Sequence, residues 1–466
     1  MTPLRPYQLR DVNIILARLQ RHQSPLYQLP TRGGKTRVAC AVIKTVVATG
    51  WEVGFFVHRV ELLRQAFRAM SAEGIEHGVI MPGHELTSHR VHVASIDTVL
   101  VRLAAGDKAI AAWILRLKLI VPDEAHHFPA EKWQRIRRMA SALLFGMSAT
   151  PYRPDGRGLG DAGFNVAVIG PGPRELEAMG FLAPIEVYAP PQIIDLSKLR
   201  LRGADYAQDE MQALVDNPDF VMMASRAYAK FALGESCVVF GAGVAHAEHM
   251  AQGFRRAGWS ALSIDGDTND GVRERALEDL GANSLNALCS CDILSEGVDL
   301  PAVAAAILGR PTWSTPVFVQ QSGRPRTPHA DKSVSRLVDL VGNVARHGMP
   351  DADRPWTLEG GVKGLERQVE PTRRCIRCWR VHTWADRCPG CGAVYPRHKG
   401  DRATVWHLSG IGGLRPEVIA ARPIAEVVAK ARSRADMERI AAVKGLDRRW
   451  VDRAMAWAGI ALEAAE

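Results

Sequence analysis

This chain lacks the long apolar segments of a membrane protein and the cysteine framework of a small secreted one. No apolar run approaches the ~18 residues that a membrane-spanning helix needs, and residues 1–5 lack the apolar core of a secretory signal. Of the eight cysteines, four lie in one short cluster and the others are scattered in apolar segments, which disfavours disulfides and indicates a reducing compartment. We therefore expect a soluble, cytoplasmic protein with no membrane partner.

Size and positive charge are what the chain has instead. Its 466 residues, 47% of them hydrophobic, suffice for two or three domains with cores of their own. A net charge of +9 suits a polyanion such as nucleic acid. A basic surface that only keeps the protein dissolved explains the charge equally well, so the motifs must decide between these two interpretations.

A Gly-rich loop, Leu-Pro-Thr-Arg-Gly-Gly-Lys-Thr at 29–36, stands between a strand-like segment, 26–28, and a helix-like segment, 37–43. The backbone N–H groups of such a loop cradle phosphates. In that interpretation the Lys35 ammonium neutralises the β- and γ-phosphates, and the Thr36 hydroxyl binds Mg²⁺. The alternative is a chance Gly-Gly-Lys-Thr sequence in a turn.

The loop departs from the strict phosphate-loop pattern at two positions. Leu29 replaces the first glycine, and Arg32 stands where a third glycine is common. Gly33 and Gly34 still supply a permissive backbone.

A second motif removes most of the doubt about the first. The apolar run at 117–121 predicts a buried strand and ends at Pro122, Asp123 and Glu124. Carboxylates at the carboxyl end of such a strand lie where open α/β sheets bind ligands. Asp123 would hold Mg²⁺ and Glu124 would polarise the attacking water. The alternative, a surface pair that caps a helix, explains neither the preceding apolar run nor the loop upstream.

Two Cys-x2-Cys pairs, nine residues apart, have the spacing of a tetrahedral thiolate site for Zn²⁺. These ligands are Cys375, Cys378, Cys388 and Cys391. One alternative is a pair of disulfides in a secreted domain, and another replaces one cysteine with His382. So short a segment has almost no core, so the metal should supply most of its folding free energy, on the order of 10 kcal/mol.

Short apolar strands alternate with helical segments twice along the chain, first over residues 1–185 and again over 237–345, which indicates parallel βαβ units. Within the first of these stretches, residues 155–173 are rich in Gly and Pro and predict an exposed loop. Residues 191–230 are typical of connecting helices.

Several further segments resemble motifs of a single family. They are Arg-Pro-Tyr-Gln at 5–8, His-Arg-Val-Glu-Leu at 58–62, Val-Ala-Ser-Ile-Asp-Thr at 93–98, Met-Ser-Ala-Thr-Pro-Tyr-Arg at 147–153, Glu-Gly-Val-Asp-Leu-Pro at 296–301 and Gln-Gln-Ser-Gly-Arg-Pro-Arg at 320–326. Together with the loop and Asp-Glu-Ala-His at 123–126, they resemble the superfamily 2 helicases of the Asp-Glu-x-His type. The RadD-type and phage-encoded DNA helicases with a C-terminal zinc ribbon are the most similar.

The resemblance implies an α/β fold of two tandem RecA-like parallel-sheet lobes with ATP in the cleft between them. The implied parts are an ATP-binding lobe at 1–185, a helicase C-terminal lobe at 186–349, a linker at 350–371, a zinc ribbon at 372–396 and a helical C-terminal domain at 402–466.

The same resemblance assigns roles to single residues. Catalysis falls to Lys35, Asp123, Glu124, Gln320, Arg324 and Arg326. Nucleotide contacts fall to Arg5, Gln8, Thr31, Arg32, Gly33, Gly34, Lys35, Thr36, Gly297 and Asp299. Thr36 and Asp123 hold Mg²⁺. His126, Ser148 and Thr150 couple hydrolysis to movement. His58, Arg59, Ser95 and Thr98 contact the nucleic acid.

The arginine finger is ambiguous in this sequence. The family places two residues between its first and second arginines, which puts the second at the position of Thr327, whereas here Arg326 comes one residue early. We favour Arg326 as a contributor to the finger. The alternatives are that Arg324 acts alone, or that this Arg-rich loop contacts a phosphate backbone.

The expected function is that of an ATP-dependent DNA helicase or translocase whose cofactors are ATP, Mg²⁺ and Zn²⁺. Two alternatives remain open, a remodelling ATPase with little or no strand separation and a nucleic-acid-binding module with a degraded ATP site. The expected partner is DNA, single-stranded or branched, bound without sequence preference. Proteins of replication or repair are further candidate partners, a monomer is the favoured oligomeric state, and a host repair role and a phage role both fit.

Overall fold

The computed structural model describes residues 3–153, 156–191, 194–291, 294, 302–360, 370–395, 434–444, 446 and 451. The predictions for Gly297 and Asp299, and those for most of the C-terminal tail, lie outside the described residues. Among the helices of the described part, none is long and apolar enough to cross a membrane.

The first half of the chain contains eight strands and seven helices in its described residues. The strands are β1 (Pro25–Gln28), β2 (Val53–Val57), β3 (Gly78–Ile80), β4 (Val91–Ser95), β5 (Leu119–Pro122), β6 (Leu143–Leu144), β7 (Gly146–Ser148) and β8 (Val166–Ile169). The helices are α1 (Pro6–Gln20), α2 (Lys35–Ala48), α3 (Val60–Ala72), α4 (Ile96–Ala104), α5 (Lys108–Arg116), α6 (Glu131–Met139) and α7 (Pro173–Ala178).

All pairings in this first lobe are parallel, in the orders β3-β4-β2-β5-β6 and β7-β1-β8. Phe145, which lies between β6 and β7, joins the two groups of strands. Its backbone N–H donates to the carbonyl of Ile120 in β5 at 3.0 Å. Side chains that alternate along β2 enter different cores: Phe55 packs with α1, α2 and α3, and Phe56 packs with Trp113 and Trp133 of α5 and α6. The sheet is thus buried on both faces, as parallel sheets are.

The prediction of an exposed loop over residues 155–173 is wrong in part. Residues 166–169 form β8, which pairs with the phosphate-loop strand β1, and Phe164 is buried in the core. The glycines and prolines that suggested a loop flank this strand, so composition averaged over the segment concealed a short edge strand.

The second half of the chain continues with the following elements. The strands are β9 (Ile185–Tyr188), β10 (Leu201–Arg202), β11 (Asp205–Tyr206), β12 (Cys237–Phe240), β13 (Ala261–Ile264), β14 (Ala287–Ser290), β15 (Ala305–Leu308), β16 (Ser335–Asp339), β17 (Thr372–Arg374) and β18 (Arg380–Thr383). The helices are α8 (Gln208–Val215), α9 (Pro218–Phe231), α10 (Val244–Arg256), α11 (Asp270–Gly281), α12 (Thr315–Gly323), α13 (Asn343–His347) and α14 (Arg434–Lys444).

The second lobe is built on an eight-stranded sheet of order β13-β14-β12-β15-β16-β9-β18-β17. The six strands from β13 to β9 are parallel, and β18 and β17 are antiparallel additions at the edge. The two lobes confirm the predicted α/β class. The strands of the cysteine-rich segment, however, extend the second sheet rather than form a separate unit.

Candidate nucleotide site and nucleic-acid interface

The phosphate loop runs from the end of β1 to the start of α2, where Lys35 is the first helical residue. Gly34 has φ +89°, and an added Cβ there would lie 2.5 Å from Gln8 Nε2, so both backbone and space require glycine. Arg32 also has a positive φ, +71°. A non-glycine residue there costs about 1 kcal/mol, which is the physical reason that a third glycine is common at this position.

Residues from α1 brace this loop from behind. The Tyr7 hydroxyl donates to the Gly33 carbonyl at 2.6 Å. Gln8 is buried, its Oε1 accepts from the Arg5 backbone N–H at 3.0 Å, and its Nε2 is a buried donor with no protein partner among the described residues. The Arg5 guanidinium lies over the ring of Phe181, 4.1 Å from its centroid. Arg5 and Gln8, both predicted to contact the nucleotide, thus lie beside the loop.

The two predicted catalytic carboxylates follow β5 directly. The Asp123 backbone N–H donates to the Phe56 carbonyl at 3.0 Å, and its Oδ1 accepts from the Glu124 backbone N–H at 3.0 Å. Burial first, and then the negative charge of Glu124, raise the pKa of Asp123 to about 6, while the Lys35 ammonium opposes the rise. The phosphate-loop lysine is therefore close enough to feel this carboxylate.

These groups fit a divalent cation. A buried Asp carboxylate, a second carboxylate beside it and the Thr36 hydroxyl are hard oxygen donors of the kind that Mg²⁺ prefers. The raised pKa of Asp123 shows that two negative charges are crowded together here, a repulsion that a bound cation would relieve.

The three residues predicted to couple hydrolysis to movement contact one another in sequence, and His126 also contacts Glu124. His126 Nδ1 is 3.4 Å from Glu124 Oε2 and 3.3 Å from Ser148 Oγ. The Ser148 hydroxyl donates to the Thr150 carbonyl at 2.7 Å and accepts from the Thr150 backbone N–H at 3.1 Å. A continuous chain of contacts therefore joins Glu124 to the turn at 148–150.

The second lobe approaches the phosphate loop through the end of α12. An added Cβ at Gly323 would lie 2.9 Å from Thr31 Cβ, so glycine permits a close approach between the lobes. Gln320 on this helix and Arg324, which follows it, are both buried. The predicted catalytic residues of the second lobe therefore lie on the element that contacts the loop.

Arg326 is engaged elsewhere, which differs from the role that we favoured for it. Its Nη2 donates to Glu177 Oε2 on α7 at 2.7 Å, and its Nε donates to the Ala183 carbonyl at 3.3 Å. The guanidinium is nearly inaccessible to solvent, and burial lowers its pKa. In this arrangement the Arg326 guanidinium is therefore held by residues of the first lobe.

The predicted nucleic-acid residues lie at the carboxyl ends of β2 and β4, on the same edge of the first sheet as the phosphate loop. The rings of His58 and His127 are tilted by 51° with 4.3 Å between their centroids, and Arg59 occupies the N-cap position of α3. The Ser95 hydroxyl accepts from the Thr98 backbone N–H at 3.4 Å as the cap of α4, so capping accounts for part of its role.

The cysteine cluster has the geometry of a tetrahedral metal site. The four sulfur atoms lie within 4.8 Å of one another, with 3.6 Å between Cys375 and Cys391 and 3.5 Å between Cys378 and Cys388. Thiolates around one Zn²⁺ at about 2.3 Å have this separation. His382 lies outside the cluster and bonds to Tyr395 and the Thr383 carbonyl, so the alternative with histidine as a ligand is not supported.

Four residues near the site were not singled out by the motifs. Tyr7 stands inside the quoted segment 5–8, so its position carried a signal. Gln28, whose Nε2 donates to the Ala149 carbonyl at 3.0 Å, and Glu177, the partner of Arg326, carried none. Tyr152 stands inside the segment 147–153, and its ring packs on Trp356 with 5.1 Å between centroids.

Comparisons with known proteins cover both lobes. Residues 1–153 match the family described as type III restriction enzyme, res subunit, and residues 222–326 match the helicase conserved C-terminal domain. A 51.5 kDa protein of Lactococcus phage (isolate 7-9) is 29% identical over 80% of this chain and 75% of its own length. A candidate mitochondrial ATP-dependent helicase, irc3, of Schizosaccharomyces pombe is 25% identical over 74% of this chain and 58% of its own length.

Two solved structures show the same fold. The ATP-dependent type ISP restriction-modification enzyme LlaBIII bound to DNA superposes with a TM-score of 0.54 at 14% identity, over 79% of this chain and 29% of that one. The DUF1998 helicase MrfA bound to DNA gives a TM-score of 0.51 at 14% identity, over 84% of this chain and 58% of that one. At these identities the likeness concerns architecture alone.

Proposed function

The chain belongs to superfamily 2 of the helicases, nucleic-acid-dependent enzymes that hydrolyse ATP, and we propose that it uses ATP hydrolysis between its lobes to move on or remodel DNA. The convergence of three elements carries this proposal. The phosphate loop, the Asp123–Glu124 pair and α12 lie together, with Gly323 against Thr31.

Each residue has a role that its position supports. Lys35 begins α2 at the loop and would neutralise phosphate charge, while Asp123 and Thr36 would hold Mg²⁺, which supplies further charge neutralisation when bound. Glu124 would orient the attacking water, and its contact with His126 keeps the carboxylate in place. Arg324 would approach the γ-phosphate when the lobes close, because it follows the helix that touches the loop.

DNA rather than RNA as the track is a proposal that draws on solved structures, while the predicted contacts bear on sequence preference. The LlaBIII and MrfA structures were solved bound to DNA. The predicted contacts His58, Arg59 and Ser95 lie at one edge of the first sheet, where they would meet phosphate and sugar rather than bases. Binding without sequence preference follows from contacts of this kind.

ATP turnover by the wild type and the Lys35→Ala variant tests the proposal. The assay compares no nucleic acid, single-stranded DNA, duplex, forked DNA and RNA. We expect one DNA form to stimulate turnover strongly and Lys35→Ala to lower it at least about a hundredfold, because a preorganised cation at the phosphates is lost.

Lys44→Ala is the matched control, because Lys44 lies on the same helix and its ammonium bonds to the Glu73 carbonyl, away from the loop. Stimulation by RNA alone would contradict the choice of DNA. Tight DNA binding with no turnover on any substrate would favour the alternative of a binding module. A strand-displacement assay on the stimulating DNA then separates a helicase from a remodelling ATPase.

A further inference from the structure

Residues 351–360, assigned to a linker by their sequence, lie against both lobes near the residues of hydrolysis. We name this segment the strap. It follows α13 of the second lobe and returns to the first lobe, where it reaches the loop at 156–160. A flexible tether would not make specific contacts at successive points, so each contact is informative.

The far end of the strap is fixed to the first lobe by backbone contacts. The Gly160 N–H donates to the Leu358 carbonyl at 3.1 Å, and Arg157 pairs with Gly360. An added Cβ at Gly158 would lie 1.8 Å from the Leu358 oxygen, whereas at Gly160 the corresponding distance is an ordinary 3.5 Å. The strap therefore passes so close to position 158 that only glycine fits there.

The near end of the strap contacts the segment around the start of α7. Arg174 Nε lies 3.5 Å from Asp351 Oδ2, and Arg174 Nη2 lies 2.7 Å from Glu370 Oε2, beyond the strap. An added Cβ at Gly172 would lie 2.1 Å from Asp353 Oδ1. The same helix carries Glu177, the partner of Arg326, so α7 receives contacts from two parts of the second half of the chain.

The middle of the strap meets Tyr152, two residues after Thr150. The ring of Tyr152 is buried and lies 5.1 Å from that of Trp356 between centroids. Burial raises the pKa of Tyr152, while the charge of Arg354 and the nearby Thr315 side chain offset part of the rise. Thr315 is the first residue of α12 and its hydroxyl lies 3.3 Å from His347 Nδ1, so Tyr152 lies near the start of the helix that carries Gln320.

The strap also contacts the elements that support α12. Arg354 Nη2 donates to the His347 carbonyl at 2.9 Å. The His347 ring stacks on Phe318 of α12, with 5.0 Å between centroids, and its Nε2 lies 3.0 Å from the Thr312 carbonyl. The start of α12 is thus held by α13 on one side and by Tyr152 and the strap on the other.

We propose that Tyr152 is a positioning residue for ATP hydrolysis and that the strap clamps it between the 148–150 turn and the first turn of α12. Movement at Ser148 and Thr150, which contact the carboxylates through His126, would then reach Arg324 through a short rigid path. Packed contacts with two discrete arrangements transmit such movements, whereas a mobile tether does not. The inference rests on the proposed ATPase function.

The central test removes the ring that holds Tyr152. In Trp356→Ala, we expect kcat for DNA-stimulated ATP turnover to fall about ten- to a hundredfold, because misplacement of a catalytic group by ~1 Å has effects of that size. KM for ATP should stay within about twofold, since Trp356 packs on Tyr152 rather than on the phosphate loop. Trp356→Phe keeps an aromatic ring and should recover most of the lost kcat.

Two matched controls separate positioning from general stability. Trp259→Ala removes a tryptophan that packs on Tyr228 inside the second lobe, with 5.5 Å between ring centroids, and should leave kcat close to the wild-type value. Gly158→Ala should reproduce the Trp356→Ala effect, while Gly160→Ala, two residues away, should not. A folded Trp356→Ala variant with unchanged kcat, or one in which KM rises as much as kcat falls, would overturn the proposal.

Hydrogen exchange tests the strap without any need for turnover. We expect Trp356→Ala to speed amide exchange both at 156–163 in the first lobe and at the start of α12 in the second, while Trp259→Ala leaves both unchanged. If the wild type hydrolyses no ATP, the proposed function fails, and this exchange pattern still decides whether the strap ties the lobes. Unchanged amide exchange in Trp356→Ala at either location would refute the proposal that the strap holds the two lobes together.

Discussion

The two lobes use the same parallel-sheet architecture but assemble it in different ways. The first sheet takes all its strands from one continuous stretch, residues 25–169. The second takes most of its strands from 237–339, one more from 185–188 and two at one edge from 372–383. Motif spacing therefore describes the first lobe well, whereas the second is completed by segments from outside its own alternating pattern.

The two lobes also differ in how they position their functional groups. In the first lobe, the loop, the carboxylates and the 148–150 turn follow β1, β5 and β7 at one edge of the sheet. In the second, α12 is positioned by partners brought from elsewhere, namely α13, the strap and Tyr152. We expect the second lobe to be more sensitive to changes far from the nucleotide.

Among the changes that test this difference between the lobes, loss of a zinc ligand should have the largest effect on the protein. We expect Cys388→Ser to lower the metal content from about one zinc per chain to nearly none and to unfold the ribbon, since the metal supplies on the order of 10 kcal/mol of its folding free energy. Because β18 pairs with β9, amide exchange should also accelerate at residues 185–188.

The control for this experiment is Cys40→Ala, which alters a buried cysteine of the first lobe and should leave the zinc content unchanged. Metal analysis and hydrogen exchange provide the measurements. A purified wild type that contains no metal yet keeps the ribbon folded would contradict the prediction.

We expect the two arginines after α12 to affect different properties. Arg324 should affect the rate of turnover, and Arg326 should affect the stability of the fold. We expect Arg324→Ala to lower kcat by about a thousandfold, as for an arginine that stabilises phosphoryl-transfer charge. Arg326→Ala should instead lower the free energy of unfolding by about 2–3 kcal/mol, because Glu177 loses its partner. Turnover kinetics and urea unfolding of both variants measure these effects.

The double variant Arg326→Ala/Glu177→Gln is the control, since it removes the uncompensated charge and should regain part of the stability. If Arg326→Ala abolishes turnover while stability is retained, Arg326 is the finger after all, and its ion pair must break on closure.

Acid should destabilise the protein modestly, and the second lobe more than the first. Burial lowers the pKa of His347 to about 3 and of His246 to about 4 in the second lobe, and that of His92 to about 4 in the first. Unfolding exposes these rings, which then bind protons below pH ~6.5. The free energy of unfolding therefore keeps its full value above that pH and decreases as the pH drops below it. The expected slope is about 1 kcal/mol per pH unit for each ring.

Urea unfolding at pH 7.5, 6.5 and 5.5 measures this slope. His246→Asn keeps an acceptor for the Ala242 N–H, which His246 Nδ1 accepts at 3.0 Å, and should flatten the acid limb. His84→Asn alters an exposed ring and should not. Equal slopes in the wild type and His246→Asn would rule out His246 as a source of the acid sensitivity.

The sequence was most informative where function demands particular residues at fixed spacing. The loop at 29–36 and the pair Asp123–Glu124 lie at strand ends, as their flanking apolar runs predicted, and the four cysteines cluster as their spacing predicted. It was least informative for β8, whose four residues are surrounded by Gly and Pro, and for the finger, where residue order could not distinguish Arg324 from Arg326.

The sequence by itself determined the chemical inventory, because phosphate cradles, carboxylate pairs and thiolate sites depend on residue type and on spacing within a few residues. The tertiary structure alone decided that Arg326 pairs with Glu177, that β18 extends the second sheet through β9, and that the strap meets Tyr152. Each of these contacts joins residues 149 or more positions apart, where no local propensity or periodicity acts. Only the packing of the whole chain brings such partners together.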